Sequence, residues 1–482
     1  MKLALIPIDN RPVCYNLVND IANIDSDLEI ILPDKKLLGS LYSNADTDGI
    51  IQWLEKLDEV DAIVVSLDTI AYGGLISSRR CKDSVEEIKS RLQKVKKILK
   101  KGKKVYAFSS IMRISNNNVN EEEKEYWNKY GTQIFEYSYK FHKEGNDFSD
   151  VPKEILNDYL ATRYRNFQIN KMYIEWLQEG LFDTLVFSKD DCAQYGLNVM
   201  EADILEHTIQ SKNLSGMVKT GADEIPLTLF ARAIVNHALK QGIKATCLSE
   251  NIDNIKAPKI SVKFLAPLHK HLISNYEDIS IEKSVKAQIE LAGAVVAEEK
   301  EADLVLIVNN FEEQQGEIVM GVKTLPFSGQ FSLPKKPYII ADVRFANGAD
   351  NIFIDKLFNK SIDFDNFYGY SGWNTSANTL GSLICVGLVR HFAQNYNEEA
   401  FRKLQMVRFL DDWAYQANIR QALNGKREAV NGKRKEPRAD FRKLTKMMMP
   451  FEKRLQKILR ISPEIKYKFP WKRFFEIGIT IK

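Results

Sequence analysis

Short, continuous apolar runs alternate along the chain with segments whose apolar positions recur every three to four residues. Residues 3–8 lead to a helix-period segment over 14–21, residues 28–32 to one over 48–57, and residues 62–67 to one over 84–99. A run at 105–109 follows, then a long polar and helical excursion over 120–177, a run at 184–188, a helix over 198–208, a run at 216–220 and a helix over 227–240. Strands that are apolar throughout, rather than alternating, are those covered by helices on both faces, so the pattern predicts parallel strands in an α/β fold. Beyond Gly242 the pattern continues with strands at 245–248, 261–265, 304–308, 338–341 and 367–370, and a helix over 281–291.

About ten strands suffice for a (β/α) barrel-like catalytic region with additional α/β elements, which is the expected architecture; the alternative is two open, doubly wound α/β domains. The expected organisation is a β/α region over 1–240 carrying most of the site, a second over 241–400 completing its rim, and a basic helical extension over 401–482 packed on the body. The stretch 425–438, with Asn-Gly at 424–425 and 431–432 and Pro437, reads as an exposed loop.

Composition narrows the class. Hydrophobic residues at 44% and charged ones at 27% are the balance of a globular enzyme, which excludes a disordered or collagen-like chain. No apolar stretch approaches membrane-spanning length, and the apolar run after Met1 is too short for a signal-peptide core, so a cytoplasmic protein without a membrane partner is expected. The five cysteines (Cys14, Cys81, Cys192, Cys247, Cys385) form no Cys-x-x-Cys pair, which argues against a zinc ribbon or a disulfide framework. Charge is uneven. Residues 401–482 hold 22 Lys/Arg against 8 Asp/Glu, so a net charge of +4 divides into +14 on the tail and −10 on the rest. The tail reads as a solvated face laid partly against the acidic body, with no nucleic-acid partner.

Polar residues follow the predicted strands. In parallel α/β folds the loops beyond the strands' carboxyl ends converge on one face. Here those loops carry Asp9-Asn10-Arg11, then Asp68 with Tyr72-Gly73-Gly74, Arg113, Asp190-Asp191, Asp223-Glu224, Asn309-Asn310, Asp342, and Trp373-Asn374. A series of this kind predicts one shared active-site rim.

The same strings carry a resemblance. Pro7-Ile8-Asp9-Asn10-Arg11-Pro12, Ser66 to Leu75, Asp190-Asp191, Gly221-Ala222-Asp223-Glu224, Ala341-Asp342 with Asn347 to Asp350, and Gly372-Trp373-Asn374-Thr375 with Asn378 to Gly381 resemble the bacterial domain-of-unknown-function family 4127. The likeness runs through Phe409-Leu410-Asp411-Asp412-Trp413 to Trp471 and Glu476, which implies that the basic tail belongs to the fold. No activity comes with the family, so chemistry must be read from the residues.

The two acidic pairs, Asp190/Asp191 and Asp223/Glu224, lie 33 residues apart at the ends of consecutive predicted strands, and adjacent strands stand about 5 Å apart. Paired carboxyls suit glycoside hydrolysis, in which one acid protonates the leaving oxygen while the other acts as nucleophile, base or orienting group. The Gly-Ala-Asp-Glu string resembles the Gly-Gly-Asp-Glu element of family 20 β-N-acetylhexosaminidases, and Asp190-Asp191 resembles the Asp-Asp of family 84. The resemblance implies that the first acid orients an acetamido group and the second donates the proton, with Glu224 the first candidate donor and Asp191 the second.

Asp9, Asn10, Arg11, Asp68, Tyr72, Arg113, Asp342, Trp373 and Asn374 are the expected substrate-binding residues, with Tyr72, Trp373 and Tyr195 as stacking faces for a pyranose. The expected activity is thus hydrolysis of small glycosides, N-acetylhexosaminides among the candidates, without a cofactor. The alternatives are a metal-dependent hydrolase or lyase using a divalent ion on Asp9, Asp68, Asp190 and Asp342, and a sugar-binding protein without catalysis. Cys14 and Cys192 read as structural, and His269-x-His271 lacks a flanking third ligand.

Overall fold

The computed structural model describes residues 1–57, 59–100, 102–243, 256–424 and 441–482. They form two compact units. The first comprises Met1–Tyr15, Ile30–Pro226 and Tyr276–Asp278; the second comprises Asn16–Glu29, Leu227–Asn275 and Ile279–Lys482. The division thus falls after Pro226, and residues 401–482 are part of the second unit.

Six strands build the first sheet: β1 (Lys2–Ile6), β2 (Glu29–Ile31), β3 (Ala62–Ser66), β4 (Lys104–Ile111), β5 (Thr184–Lys189) and β6 (Gly216–Thr220), in the order β2-β1-β3-β4-β5-β6. From β1 to β6 every neighbouring pair is parallel, with Leu3 opposite Ala62, Ala62 opposite Lys104, Tyr106 opposite Thr184 and Leu185 opposite Gly216. The chain winds outward to β2, then crosses back over β1 to lay down β3 through β6. Such a reversal parts the loops beyond β1 and β3 and makes a crevice there.

The second unit repeats this winding. Its sheet comprises β7 (Lys259–Phe264), β8 (Val295–Val296), β9 (Leu304–Asn309), β11 (Tyr338–Asp342) and β13 (Phe367–Ser371), in the order β13-β11-β9-β7-β8 and parallel throughout. Between its strands, β10 (Gly316–Glu317) pairs with β12 (Phe345–Ala346). Again the second strand takes one edge and the later ones the other side of the first. The central strands β3, β9 and β11 are buried along their whole length, as expected of strands covered on both faces.

The expected parallel α/β architecture is found, as two open sheets rather than a closed barrel among the described residues. Reversing the winding after two strands leaves β2 and β6 as edges of one sheet, and β8 and β13 as edges of the other, whereas closure needs a single winding direction. Most predicted strands and helices recur within a few residues of their expected bounds. The predicted excursion over 120–177 is two helices, Trp127–Glu144 and Lys153–Gln178. The expected strand at 245–248 and the loop expected at 425–438 lie outside the described residues. No helix among the described residues is long and apolar enough to cross a membrane.

The chain ends in an antiparallel hairpin, β14 (Ile465–Lys468) and β15 (Gly478–Ile481). Its connection is tied down. The Tyr415 hydroxyl donates to the Phe474 carbonyl at 2.7 Å, the Gln416 amide to the Phe475 carbonyl at 3.3 Å, and Glu476 and Ile477 are buried. Removing residues 464–482 uncovers this surface and strands those donors, so unfolding in urea should show a loss on the order of 3–5 kcal/mol. An unchanged midpoint would mean that the tail is an independent arm.

Candidate active site

Beyond β1 and β3 the loops are tied to one another. The Thr69 hydroxyl donates to the Pro7 carbonyl at 2.7 Å, and the Asn10 N–H to the Gly39 carbonyl at 3.1 Å. The loop after β1 also carries the centre of a buried ion triad. Arg11 donates from its backbone N–H and Nε to Asp9 (2.9 and 2.8 Å), and from Nη1 and Nη2 to the two oxygens of Asp223 (2.9 and 2.5 Å). A planar guanidinium is the cation whose donors match two carboxylates in this way. Burial raises the Asp223 carboxyl above its usual range, and Arg11 opposes that rise.

Ligand atoms of Asp9, Cys14 and Asp223 lie within 4.8 Å of one another, a spacing that fits a metal ion. Arg11 already supplies the positive charge there, using both oxygens of Asp223. The donor set is thus committed to a guanidinium, and a divalent ion would have to displace it.

Glu224 follows directly and faces inward. Gly221 has φ +120°, a conformation that favours glycine, and the chain turns there so that Glu224 accepts from the Ala222 N–H at 3.0 Å. The carboxyl is 1% exposed, and burial pushes it up to about 8. A Cβ on Gly221 would stand 1.7 Å from Glu224 Oε1. Gly221→Ala should therefore destabilise the fold by on the order of 2–3 kcal/mol in urea unfolding, through both the clash and the unfavourable φ; a stable variant would mean that the Glu224 loop is not built as described.

Asp190 and Asp191, beyond β5, differ in being reachable. Arg113, beyond β4, donates from one nitrogen, Nη1, to Asp190 Oδ2 (3.3 Å) and Asp191 Oδ2 (3.0 Å), and its remaining donors hold Glu122 and Glu123 (2.9 and 3.1 Å). Glu123 is held in turn by Arg79 at 2.8 Å. The Asp190 and Asp191 side chains keep 15% and 39% of their surface open. Desolvation and then the neighbouring Asp190 charge push the Asp191 carboxyl up to about 7, against the pull of Arg113. Asp191 also holds φ at +28°, a strained backbone of the kind that persists where surrounding structure enforces it, often at functional sites. Four residues on, partly buried Tyr195 meets Tyr139 and His142 edge-on at 5.5 and 5.3 Å.

The other expected site residues divide by unit. Asp68 accepts from the Ser109 hydroxyl (3.0 Å) and the Ser110 N–H (2.7 Å), with its carboxyl pushed by burial to about 6. Tyr72 is buried with Arg165 over its ring at 5.3 Å, so its expected stacking role is withdrawn. Asp342, Trp373 and Asn374 belong to the second unit. Asp342 is fully buried, accepts from Asn309 (2.8 Å) and the Asp350 N–H (2.8 Å), and is pushed to about 7, first by burial and then by Asp350. Trp373 is 3% exposed and packs on Phe475 at 5.7 Å, which withdraws it too as a stacking face; Asn374 turns the chain at φ +70°.

Several residues of these networks have no assigned role in the sequence reading. Arg79, Glu122 and Glu123 complete the Arg113 network, yet a run of three glutamates reads as a solvated face. In the second unit, Asp412 accepts from the Gly372 N–H (2.6 Å) and Arg408 (2.7 Å). It lies in a π-helical stretch, Phe409–Ile419, whose register no 3.6-residue pattern reveals.

Neither a curated protein nor a solved structure matches the chain. A family model described as protein of unknown function (DUF4127) matches residues 3–480. Matched over nearly its whole length, the chain belongs to this family.

Proposed function

We propose that the protein hydrolyses small glycosides, N-acetylhexosaminides among them, with Asp191 as general acid and Asp190 as the partner carboxylate. One observation carries the reading: of the two acidic pairs, only Asp190/Asp191 keeps its carboxyls partly open to solvent, with both held by Arg113 Nη1, whereas Asp223 and Glu224 are buried; the Asp191 carboxyl is also pushed up, to about 7. An acid raised into this range keeps a large share of its protons at neutral pH and can give one up in the transition state. In the proposed step Asp191 protonates the glycosidic oxygen as its bond to the anomeric carbon breaks. Asp190, kept in place by Arg113, accepts from the acetamido N–H and so orients the acetamido oxygen that closes on that carbon; water then attacks the same carbon, gives its proton to the Asp191 carboxylate, and opens the ring intermediate to the free sugar. Tyr195, four residues beyond Asp191 in the chain, is partly exposed.

The metal-dependent reading is second, favoured by the spacing of Asp9, Cys14 and Asp223 and weakened by Arg11 in their midst. A sugar-binding module has no use for a carboxyl near 7. A panel of nitrophenyl glycosides assayed with and without EDTA separates the three: the proposal expects turnover that EDTA leaves unchanged. Loss on chelation would transfer the activity to a metal site, and binding without turnover would leave a lectin-like role.

A further inference from the structure

The helix Phe441–Leu459 seats on its own unit through buried Leu444, Met448, Leu455 and Leu459. These four lie on one side of the helix, at about 100° per residue. The opposite third of the circumference, an arc of about 120°, carries Arg442, Lys443, Lys446, Met449, Pro450, Lys453 and Lys457, with no acidic residue among them; every one of these is exposed. Lys446, Lys453 and Lys457 fall within about 40° of one line and span about 16 Å of axis. None of these three lysines has an ion-pair partner among the described residues. Met449 sits in the same arc, 40% exposed, and Phe441 at the helix start is 46% exposed. The helix's one acid, Glu452, lies outside the arc and accepts from the Tyr467 hydroxyl at 2.6 Å.

We infer that this face docks the protein on an anionic lipid surface. Cations gathered on one exposed face of a helix can meet a plane together, and each lysine near an anionic leaflet adds about fivefold to binding. The apolar Met449 between Lys446 and Lys453 fits the headgroup layer, as on interfacial helices, and lysine rather than arginine dominates the row, which favours headgroups over base-edge recognition. The tail's charge then has a role beyond that of a solvated covering, and contact is peripheral.

The test is co-sedimentation of the full chain with vesicles of phosphatidylglycerol and phosphatidylcholine, against vesicles of phosphatidylcholine alone. Binding should require the anionic lipid and weaken as salt rises. Lys446→Gln/Lys453→Gln/Lys457→Gln, three exposed changes, should lower the partition coefficient on the order of a hundredfold. Met449→Gln should lower it severalfold with the charges intact. Equal binding to both vesicle types, no binding to either, or a triple variant that binds like wild type would overturn the inference. So would tight binding to a single-stranded oligonucleotide by a protein that ignores the vesicles.

Discussion

Asp191→Asn should lower kcat on unactivated glycosides by a factor on the order of 10²–10⁴, the usual effect of losing a general acid, and leave the fold intact. Its side chain is 39% open, so the amide can keep the Arg113 side of the site without a large packing loss. Nitrophenyl glycosides, whose leaving group needs little protonation, should suffer less. The pH profile gives a second readout. Asp191 works protonated and is pushed to about 7, so kcat/KM should fall as pH rises through about 7, and the variant should lose that limb. Stability follows the same sign: a carboxyl raised in the folded state binds more protons there than in the unfolded chain. Its contribution is present below the ordinary carboxylate range, declines as pH rises, and is lost above about 7. Wild-type rates from the variant on unactivated substrates would remove Asp191 from the mechanism.

Arg11→Ala should destabilise the first unit by on the order of 3–5 kcal/mol at neutral pH, because it strands Asp9 and Asp223 as buried charges. The sign with pH is fixed. Arg11 holds down an Asp223 carboxyl that burial already raises; without it the carboxyl rises further and takes up a proton more readily in the folded state. The penalty should therefore be full at pH 8 and shrink as pH falls towards 5, read from urea midpoints at both. Adding Asp9→Asn and Asp223→Asn to Arg11→Met should recover much of the loss, since replacing a whole buried ion cluster is far milder than breaking it. A loss below about 1 kcal/mol from Arg11→Ala alone would mean that the triad is not a structural keystone.

Much of this architecture is legible in the chain. The run at 62–67 reads as a strand because Ala62 to Ser66 are buried on both faces, and the helix over 281–291 because its apolar positions keep one stripe. What the runs lack is winding order: nothing in residues 3–8 or 28–32 says that the latter takes an edge, so a barrel and two open sheets read alike. The site divides in the same way. Strand-end placement marked Asp9, Arg11, Arg113 and both acidic pairs, since carboxyl-end loops carry such residues in any parallel fold. Which pair is open depends on long-range partners. Arg11 reaches across 212 residues to Asp223, and Gly221 turns Glu224 inward, facts of three-dimensional packing that local spacing cannot hold. Tyr72 and Trp373 share the composition of stacking residues but lie beneath Arg165 and Phe475. Fold-back, not residue type, decided their roles.

The most direct test compares Asp191→Asn with Glu224→Gln on one unactivated glycoside, with rates normalised to the folded fraction of each protein. The structure places Glu224 1% exposed beneath its own loop and leaves Asp191 open. The account predicts that Asp191→Asn loses two or more orders of magnitude in kcat, whereas Glu224→Gln keeps near wild-type turnover per folded molecule and loses stability instead. The reverse pattern, with turnover abolished by Glu224→Gln and untouched by Asp191→Asn, would contradict it.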